Sequence, residues 1–111
     1  ERNDLQRNFS KKYNIYIVLK GAHTCISTPE GKCYFNSTGN PGMATGGSGD
    51  VLTGILISLL SQGYNSLESS ILGVYLHGLT GDVALSEMIS QESLIASDLI
   101  DNIGRAYNEL R

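Results

Sequence analysis

The sequence predicts an α/β fold that has a mainly parallel sheet and a β-hairpin. Residues 15–19 form a continuously apolar run rich in β-branched side chains, as expected for a strand buried on both faces of a parallel sheet. Residues 24–28 and 33–36 flank a Pro-Glu-Gly-Lys turn, which predicts a hairpin around Glu30 and Gly31. Long segments with helical spacing of apolar residues surround these strands.

Composition narrows the class of protein. The chain has 111 residues, of which 41% are hydrophobic and 17% charged, and this suits one globular unit. A net charge of -3 without a basic cluster disfavours a nucleic-acid partner. No apolar run approaches the roughly 20 residues of a membrane span, and the first residues lack a signal-peptide pattern. We therefore expect a cytoplasmic protein with no membrane partner.

The first two helices are predicted from apolar spacing. Leu5, Phe9 and Tyr13 recur at helical intervals, which indicates an amphipathic helix over about residues 3–13. A second helix is expected over about 50–62. It is apolar around its whole circumference, which is typical of a buried helix.

Two further helices are expected in the second half of the chain. One covers about residues 67–89 and is capped by Ser66 or Ser69. The other begins at Ser97-Asp98 and is amphipathic. Three glycines interrupt the longer helix, namely Gly73, Gly78 and Gly81. Since a glycine costs about 1 kcal/mol in a helix, we expect close packing against another backbone at these positions.

The predicted elements include too few strands to bury the strand at residues 15–19 on both faces. A strand buried on both faces needs neighbouring strands and covering helices, and the chain offers little sequence for either. We therefore expect residues 1–111 to be the C-terminal part of a larger α/β domain.

Cys25 and Cys33 flank the predicted hairpin turn. With Thr28 opposite Cys33, Cys25 lies near Asn36, and alternation along a strand directs the two thiols to opposite faces. We therefore expect two reduced structural thiols and no disulfide. No metal-ligand spacing accompanies them.

The most informative segment is the glycine-rich stretch 39–50, which leads directly into the apolar helix. Glycines let backbone amides converge, and the helix start adds free N–H groups, so the segment predicts a phosphate site. It is not a P-loop, because Ser48 stands where that motif requires lysine. It is not a dinucleotide-binding Rossmann loop, because Leu52 replaces the third glycine and no strand directly precedes it.

Asp50 closes this stretch and is the candidate catalytic residue. A carboxylate beside a phosphate repels it unless it has a chemical task. Taking a proton from a hydroxyl that attacks phosphorus is such a task. The alternative is that Asp50 only caps the helix.

Three motifs resemble the ADP-dependent NAD(P)H-hydrate dehydratases of the ribokinase-like superfamily. They are residues 20–24 (Lys-Gly-Ala-His-Thr), residues 40–54 (from Asn-Pro-Gly-Met-Ala-Thr-Gly-Gly to Gly54) and residues 73–78 (Gly-Val-Tyr-Leu-His-Gly). The resemblance implies the C-terminal portion of a ribokinase-like three-layer α/β/α domain. A short Gly-x-Gly-Asp match would indicate only the superfamily, whereas the longer strings are more specific.

The resemblance also implies an activity. The family phosphorylates the hydroxyl of NAD(P)H hydrate from ADP or ATP with Mg²⁺ and then eliminates phosphate, which restores NAD(P)H. Asp50 would meet the hydrate hydroxyl as substrate-binding residue and base, and no residue is assigned to the metal. The residues expected to bind the nucleotide are Lys20, Gly21, Ala22, His23, Thr24, Gly46, Gly47, Ser48 and Gly49.

Three of the basic side chains need separate comment. Lys20 follows the apolar strand, where ligands of open α/β sheets bind, although it could be an ordinary solvated lysine. His23 could contact phosphate but is more typical of a structural turn residue. His77 lies between apolar residues in a predicted helix and is interpreted as structural.

Two other functions stay open at this point. A kinase for a small hydroxylated vitamin precursor would share the Gly-x-Gly-Asp loop, and a non-catalytic fragment would bind nucleotide or self-associate through exposed apolar helices. The expected partners are NAD(P)H hydrate, an adenine nucleotide and further copies of the chain in a homo-oligomer.

Overall fold

The computed structural model describes residues 2–86 and 89–111, with the side chain of Arg2 left aside. Five α-helices, three strands and one 3₁₀ turn make up this part of the chain. In order they are α1 (Arg2–Tyr13), β1 (Ile17–Leu19), β2 (Cys25–Ser27), β3 (Cys33–Phe35), the 3₁₀ turn (Pro41–Met43), α2 (Ser48–Ser61), α3 (Ser66–Leu85), α4 (Ala96–Asp101) and α5 (Ile103–Glu109). The α/β class is thus confirmed.

The sheet has three strands in the order β1-β2-β3, and both pairings are antiparallel. The predicted parallel pairing is therefore not confirmed among the described residues. The expected burial of residues 15–19 on both faces is wrong, because Ile15 is exposed and β1 is only half-buried. An edge strand of a small antiparallel sheet has a neighbour on one side only, so its apolar residues remain partly open.

The hairpin is confirmed, but its register differs by one residue from the predicted one. Thr28 N–H donates to the carbonyl of Lys32 at 3.0 Å, and Ser27 lies opposite Cys33. Gly31 adopts a left-handed φ of 85°, which permits this tighter turn.

The strand register determines whether the two cysteines can form a disulfide. Cys25 now lies opposite Phe35, so the side chains of Cys25 and Cys33 share a face of the sheet. Their Cα atoms are 6.4 Å apart and they form a disulfide. The expectation of two reduced thiols is therefore wrong, because it depended on the wrong register.

Helices α2 and α3 form the centre of the molecule. Ile55 and Leu59 of α2 pack with Leu76 of α3 and Ala106 of α5. A second buried group connects the helices to the sheet and consists of Ile26, Leu52 and Val74. The phosphate-site candidate lies at the N-terminal end of α2, so this core holds the start of α2 in place.

Helix α3 begins at Ser66, one residue earlier than predicted, so neither Ser66 nor Ser69 is its cap. Asn65 is the cap, since its side chain accepts from Glu68 N–H at 2.8 Å while the Glu68 carboxylate accepts from Asn65 N–H at 3.0 Å. The helix ends at Leu85. Residues 87 and 88 of its predicted C-terminal end lie outside the described residues, and Ile89 is not helical.

The three glycines of α3 are sites of close packing, and the predicted approach of another backbone occurs at one of them. A Cβ on Gly78 would stand 2.7 Å from the carbonyl carbon of Thr38, and one on Gly73 would stand 2.6 Å from Leu56 Cδ2. A Cβ on Gly81 would collide with the side chain of Met43. Of these three glycines, only Gly78 packs against a backbone, so the predicted backbone contact is confirmed at Gly78 alone.

The predicted final helix is two helices. Asn102 breaks it with a φ of -105° and ψ of 5°, and its side-chain amide donates to the carbonyl of Asp98 at 2.7 Å. Ser97-Asp98 is not the cap, because α4 already begins at Ala96. Asp98 instead accepts from Ile95 N–H at 2.9 Å.

Helix α1 packs on the sheet through polar side chains. Gln6 Nε2 donates to the carbonyls of Ile17 at 3.2 Å and Cys25 at 3.0 Å, while the hydroxyls of Ser10 and Ser27 are 2.6 Å apart. The apolar stripe of Leu5, Phe9 and Tyr13 is exposed. In the part of the chain that the structure describes, no helix is both long and apolar enough to cross a membrane.

Candidate functional site

The first half of the glycine-rich segment is fixed by helix α3. The carboxylate of Asp82 accepts from Gly39 N–H and from the Asn40 side-chain amide, both at 3.0 Å. Asn40 in turn caps the 3₁₀ turn by accepting from Gly42 N–H at 3.0 Å. Gly42 is buried, and a Cβ there would stand 2.8 Å from the backbone of Gln91. The segment is therefore an ordered structure rather than a loose loop.

The second half of the segment becomes the start of α2. Gly47 caps the helix in the left-handed conformation, with a φ of 89° that favours glycine. Ser48 N–H donates to the carbonyl of Thr45 at 3.3 Å. Among residues 2–86 and 89–111, no carbonyl accepts from the N–H of Gly49 or Asp50. Two donors and the positive end of the helix dipole thus meet at one point, which is suited to an anion.

Lys20 brings a positive charge to this point. It follows β1, and its Nζ lies 2.5 Å from the position that a Cβ on Gly49 would occupy. Glycine at position 49 thus leaves room for the end of the lysine side chain at the helix start. Lys20 and Gly49 are separated in sequence but adjacent in the structure.

The remainder of the turn at residues 20–24 is held by its own hydrogen bonds. Thr24 Oγ1 lies 3.4 Å from both the N–H and the carbonyl oxygen of Gly21. Gly21, Ala22 and His23 are exposed. The structure therefore presents these residues to a ligand but brings only Lys20 against α2.

Asp50 lies in the first turn of α2 with its side chain exposed. The alternative that it only caps the helix is wrong, because Gly47 is the cap and no side chain caps this helix start. Asp50 lines a cavity of about 500 Å³ together with Gly47, Ala96 and Tyr107. Asp50 thus belongs both to the start of α2 and to the lining of an open cavity.

His77 of α3 contacts Ser48, the first residue of α2. Its Nε2 is 3.0 Å from the carbonyl oxygen of Ser48 and 3.3 Å from the Ser48 hydroxyl. Burial lowers the pKa of His77 below 6.5, the hydrogen bond to the Ser48 backbone partly opposes this, and nearby Lys20 lowers the pKa further. The imidazole is therefore neutral at neutral pH.

A second cavity, of about 520 Å³, lies between β3 and the first half of α3. Its lining is mostly apolar and includes Tyr34, Phe35, Tyr64 and Ile71, together with Glu68. The Glu68 carboxylate already caps α3. This cavity is slightly larger than the one at Asp50, but no residue of the glycine-rich segment lines it.

The described residues contain no group of three or more His, Cys, Asp or Glu side chains that could hold a metal ion. Sequence reasoning identified Lys20, the glycines and Asp50, but it missed Asp82 and the contact of His77 with Ser48. The only sequence signal for the second was the Tyr-Leu-His-Gly string at residues 75–78.

Comparison with known proteins gives a consistent result. A family described as NAD(P)H-hydrate dehydratase matches residues 1–105. The bifunctional NAD(P)H-hydrate repair enzyme Nnr of Thermofilum pendens is 44% identical over 110 residues, which are 99% of this chain and 21% of that protein. The ADP-dependent (S)-NAD(P)H-hydrate dehydratase of Neisseria meningitidis is 37% identical over 89% of this chain and 33% of its own length.

A solved structure agrees in fold. The ADP/ATP-dependent NAD(P)H-hydrate dehydratase of Bacillus subtilis, co-crystallised with ATP/Mg²⁺, superposes with a TM-score of 0.92 at 32% identity. The match covers 100% of this chain and 40% of that one. A ribokinase-like superfamily protein of Enterococcus faecalis matches with a TM-score of 0.77 and 33% identity over 93% of this chain and 35% of its own. The chain thus has the ribokinase-like fold and spans only about a fifth to two fifths of the proteins that it matches.

Proposed function

Because this chain belongs to the NAD(P)H-hydrate dehydratase family, we propose that it supplies the nucleotide-phosphate site and the base of an ADP-dependent dehydratase. The reaction would convert (S)-NAD(P)H hydrate to NAD(P)H and would release AMP and phosphate. The observation that carries this proposal is the start of α2, where Lys20 Nζ lies beside Gly49, the Gly49 and Asp50 amides have no carbonyl acceptor among the described residues, and Asp50 stands in the first turn.

The phosphate side of the proposal follows from charge and hydrogen bonding. The amides of Gly49 and Asp50 and the ammonium of Lys20 would bind the phosphate oxygens of the nucleotide. Residues 21–24, which lie in the turn after Lys20, would line the rest of the nucleotide site. Gly46 and Gly47 would let the phosphate approach the backbone, since neither carries a side chain.

The chemical side of the proposal assigns the proton to Asp50. The hydroxyl of the hydrate, placed in the cavity at Asp50, would lose its proton to the carboxylate while its oxygen attacks the β-phosphorus of ADP. The bond to the AMP oxygen breaks, and the substrate carries the phosphoryl group. Loss of phosphate together with a ring proton then restores the double bond of NAD(P)H, so the hydroxyl oxygen leaves within the phosphate.

Mg²⁺ is compatible with this arrangement. The ion keeps several waters and commonly binds through substrate phosphates rather than an all-protein cluster. The described residues offer no such cluster, and Asp50 is the one carboxylate that lines the cavity. Bound to the phosphate oxygens, the ion would neutralise negative charge, and no residue of the chain is assigned as its ligand.

The remaining assignments concern the setting of the site. We propose that residues 1–111 are a partial ribokinase-like domain of a cytoplasmic enzyme and that the enzyme is a homo-oligomer. The exposed apolar side chains of Leu5 and Phe9 on α1 and Ile57 on α2 support self-association. Light scattering of the chain tests this directly, and a concentration-independent monomer mass would contradict it.

The activity is testable in a chimera in which this chain replaces the matching part of the Bacillus subtilis dehydratase. With ADP and hydrated NADH, we expect the absorbance of the reduced nicotinamide ring to recover as AMP and phosphate appear. Asp50→Asn should bind ADP with unchanged affinity and should not turn over, because the amide cannot accept the proton.

Each alternative has its own outcome. A chimera that binds ADP but restores no NADH contradicts the dehydratase proposal, and phosphorylation of a vitamin alcohol instead would favour the kinase. Retained turnover in Asp50→Asn would show that another group is the base. Nucleotide binding without either reaction would favour the non-catalytic alternative.

A further inference from the structure

We propose that His77 is a positioning residue that aims the Gly49 amide at the phosphate, an inference that rests on the proposed function. His77 lies on α3 and is 29 residues from Ser48 in sequence. Its Nε2 is 3.0 Å from the Ser48 carbonyl oxygen. Because a carbonyl oxygen can only accept, Nε2 carries the proton and donates it.

The geometry of the peptide unit links this hydrogen bond to the phosphate site. The Ser48 carbonyl and the Gly49 N–H belong to one planar trans peptide, so they point in opposite directions. Holding the carbonyl oxygen toward His77 therefore fixes the direction of the Gly49 N–H away from His77, at a residue whose Cα also lies close to Lys20 Nζ. A donor on the carbonyl also polarises the peptide, which strengthens its N–H as a donor to an anion.

A neutral His77 is compatible with an orienting role. Burial and the neighbouring Lys20 both lower its pKa, although the Ser48 hydrogen bond opposes them. The neutral ring still donates from Nε2, so His77 adds direction to the site while Lys20 adds the positive charge.

The packing of α3 fixes the ring in place. Gly78, the next residue, lies so close to Thr38 that a Cβ would stand 2.7 Å from its carbonyl carbon. Thr38 Oγ1 also donates to the carbonyl of Tyr75 at 2.8 Å. Since α3 cannot shift without losing these contacts, the ring of His77 remains beside Ser48.

The experiment titrates ADP into the 111-residue chain and follows both affinity and the Gly49 amide resonance. His77→Leu removes the donor, and His77→Gln offers a side-chain N–H of similar reach. Thr80→Val is the matched control, since it removes a buried hydroxyl that bonds only within α3, at 2.8 Å to the Leu76 carbonyl.

We expect His77→Leu to shift the Gly49 resonance in the free chain and to weaken ADP binding about tenfold, as for one aligned hydrogen bond. His77→Gln should restore most of the affinity, and Thr80→Val should bind ADP like the unsubstituted chain. Equal affinity of His77→Leu and the unsubstituted chain would overturn the inference, as would a Gln variant as weak as Leu.

Failure of the proposed function gives a different result. If the unsubstituted chain does not bind ADP, the nucleotide site itself is wrong. The Gly49 resonance of the free His77→Leu variant then decides the orientation separately, and an unchanged resonance overturns it.

Discussion

Helices α1 and α3 differ in how their sequence patterns relate to their burial. Helix α1 has a regular apolar stripe, yet Leu5 is 60% exposed while Gln6 is only 5% exposed. Helix α3 has a pattern interrupted by glycines, yet it contacts α2, α4 and α5 and holds the glycine-rich segment. The apolar stripe of α1 is thus left open, whereas the glycines of α3 lie where other chain segments come closest to this helix.

The largest expected effect comes from a substitution that disrupts the close approach of α3 to Thr38. Gly78→Val should lower the free energy of unfolding by about 3 kcal/mol, because its side chain must displace the backbone of Thr38. The matched control is Gly54→Ala in α2, where nothing lies within 4 Å of the added Cβ. It should stabilise the chain by about 0.5–1 kcal/mol in urea unfolding, and equal losses for both variants would contradict the packing account.

The next effect concerns the hairpin on which α1 rests. Cys25 and Cys33 are separated by 8 positions, and a loop of that size predicts about 2–3 kcal/mol of stabilisation by the disulfide. Urea unfolding with and without a thiol reductant should show this loss. The double variant Cys25→Ser, Cys33→Ser should not respond to the reductant, and an unsubstituted chain that also does not respond would argue against the disulfide.

In helix α1, we expect substitution of a polar residue to cost more unfolding free energy than substitution of an apolar one. Gln6→Ala removes two hydrogen bonds to strand carbonyls and should cost about 1–2 kcal/mol of unfolding free energy. Leu5→Ala, at an exposed position of the same helix, should change it by less than about 0.5 kcal/mol. A larger loss for Leu5→Ala would mean that the apolar stripe is covered in solution.

The smallest effect comes from the contact of α3 with α2. Because the pKa of folded His77 lies below 6.5, the unfolded chain binds a proton first as the pH falls. Stability from this residue is complete above pH 6.5 and is lost as the pH falls from 6.5 through the folded pKa. His77→Gln should flatten this part of the profile of unfolding free energy against pH, and an unaltered profile would exclude His77 as its source.

Local features were predictable from the sequence. The helix start at Ser48 and the hairpin around Gly31 depend on glycines and turn residues within a few positions. The close packing of α3 followed from the cost of glycine in a helix.

Features that depend on distant partners were not predictable. The register changed because Thr28 pairs with Lys32, and this single step also decided the disulfide. The buried face of α1 depends on carbonyls of strands that lie 11 and 19 residues away. The contact between His77 and Ser48 likewise joins two helices and leaves no periodic pattern.

The most direct test of the central claim is an ADP titration of the chain, followed by amide resonances, with adenosine as the control ligand. The account predicts saturable shifts of the Gly47, Gly49 and Asp50 amides with ADP, preserved in Asp50→Asn and strongly reduced with adenosine. Saturable binding that leaves these amides unmoved, or no saturable binding of ADP, would contradict a nucleotide-phosphate site at the start of α2.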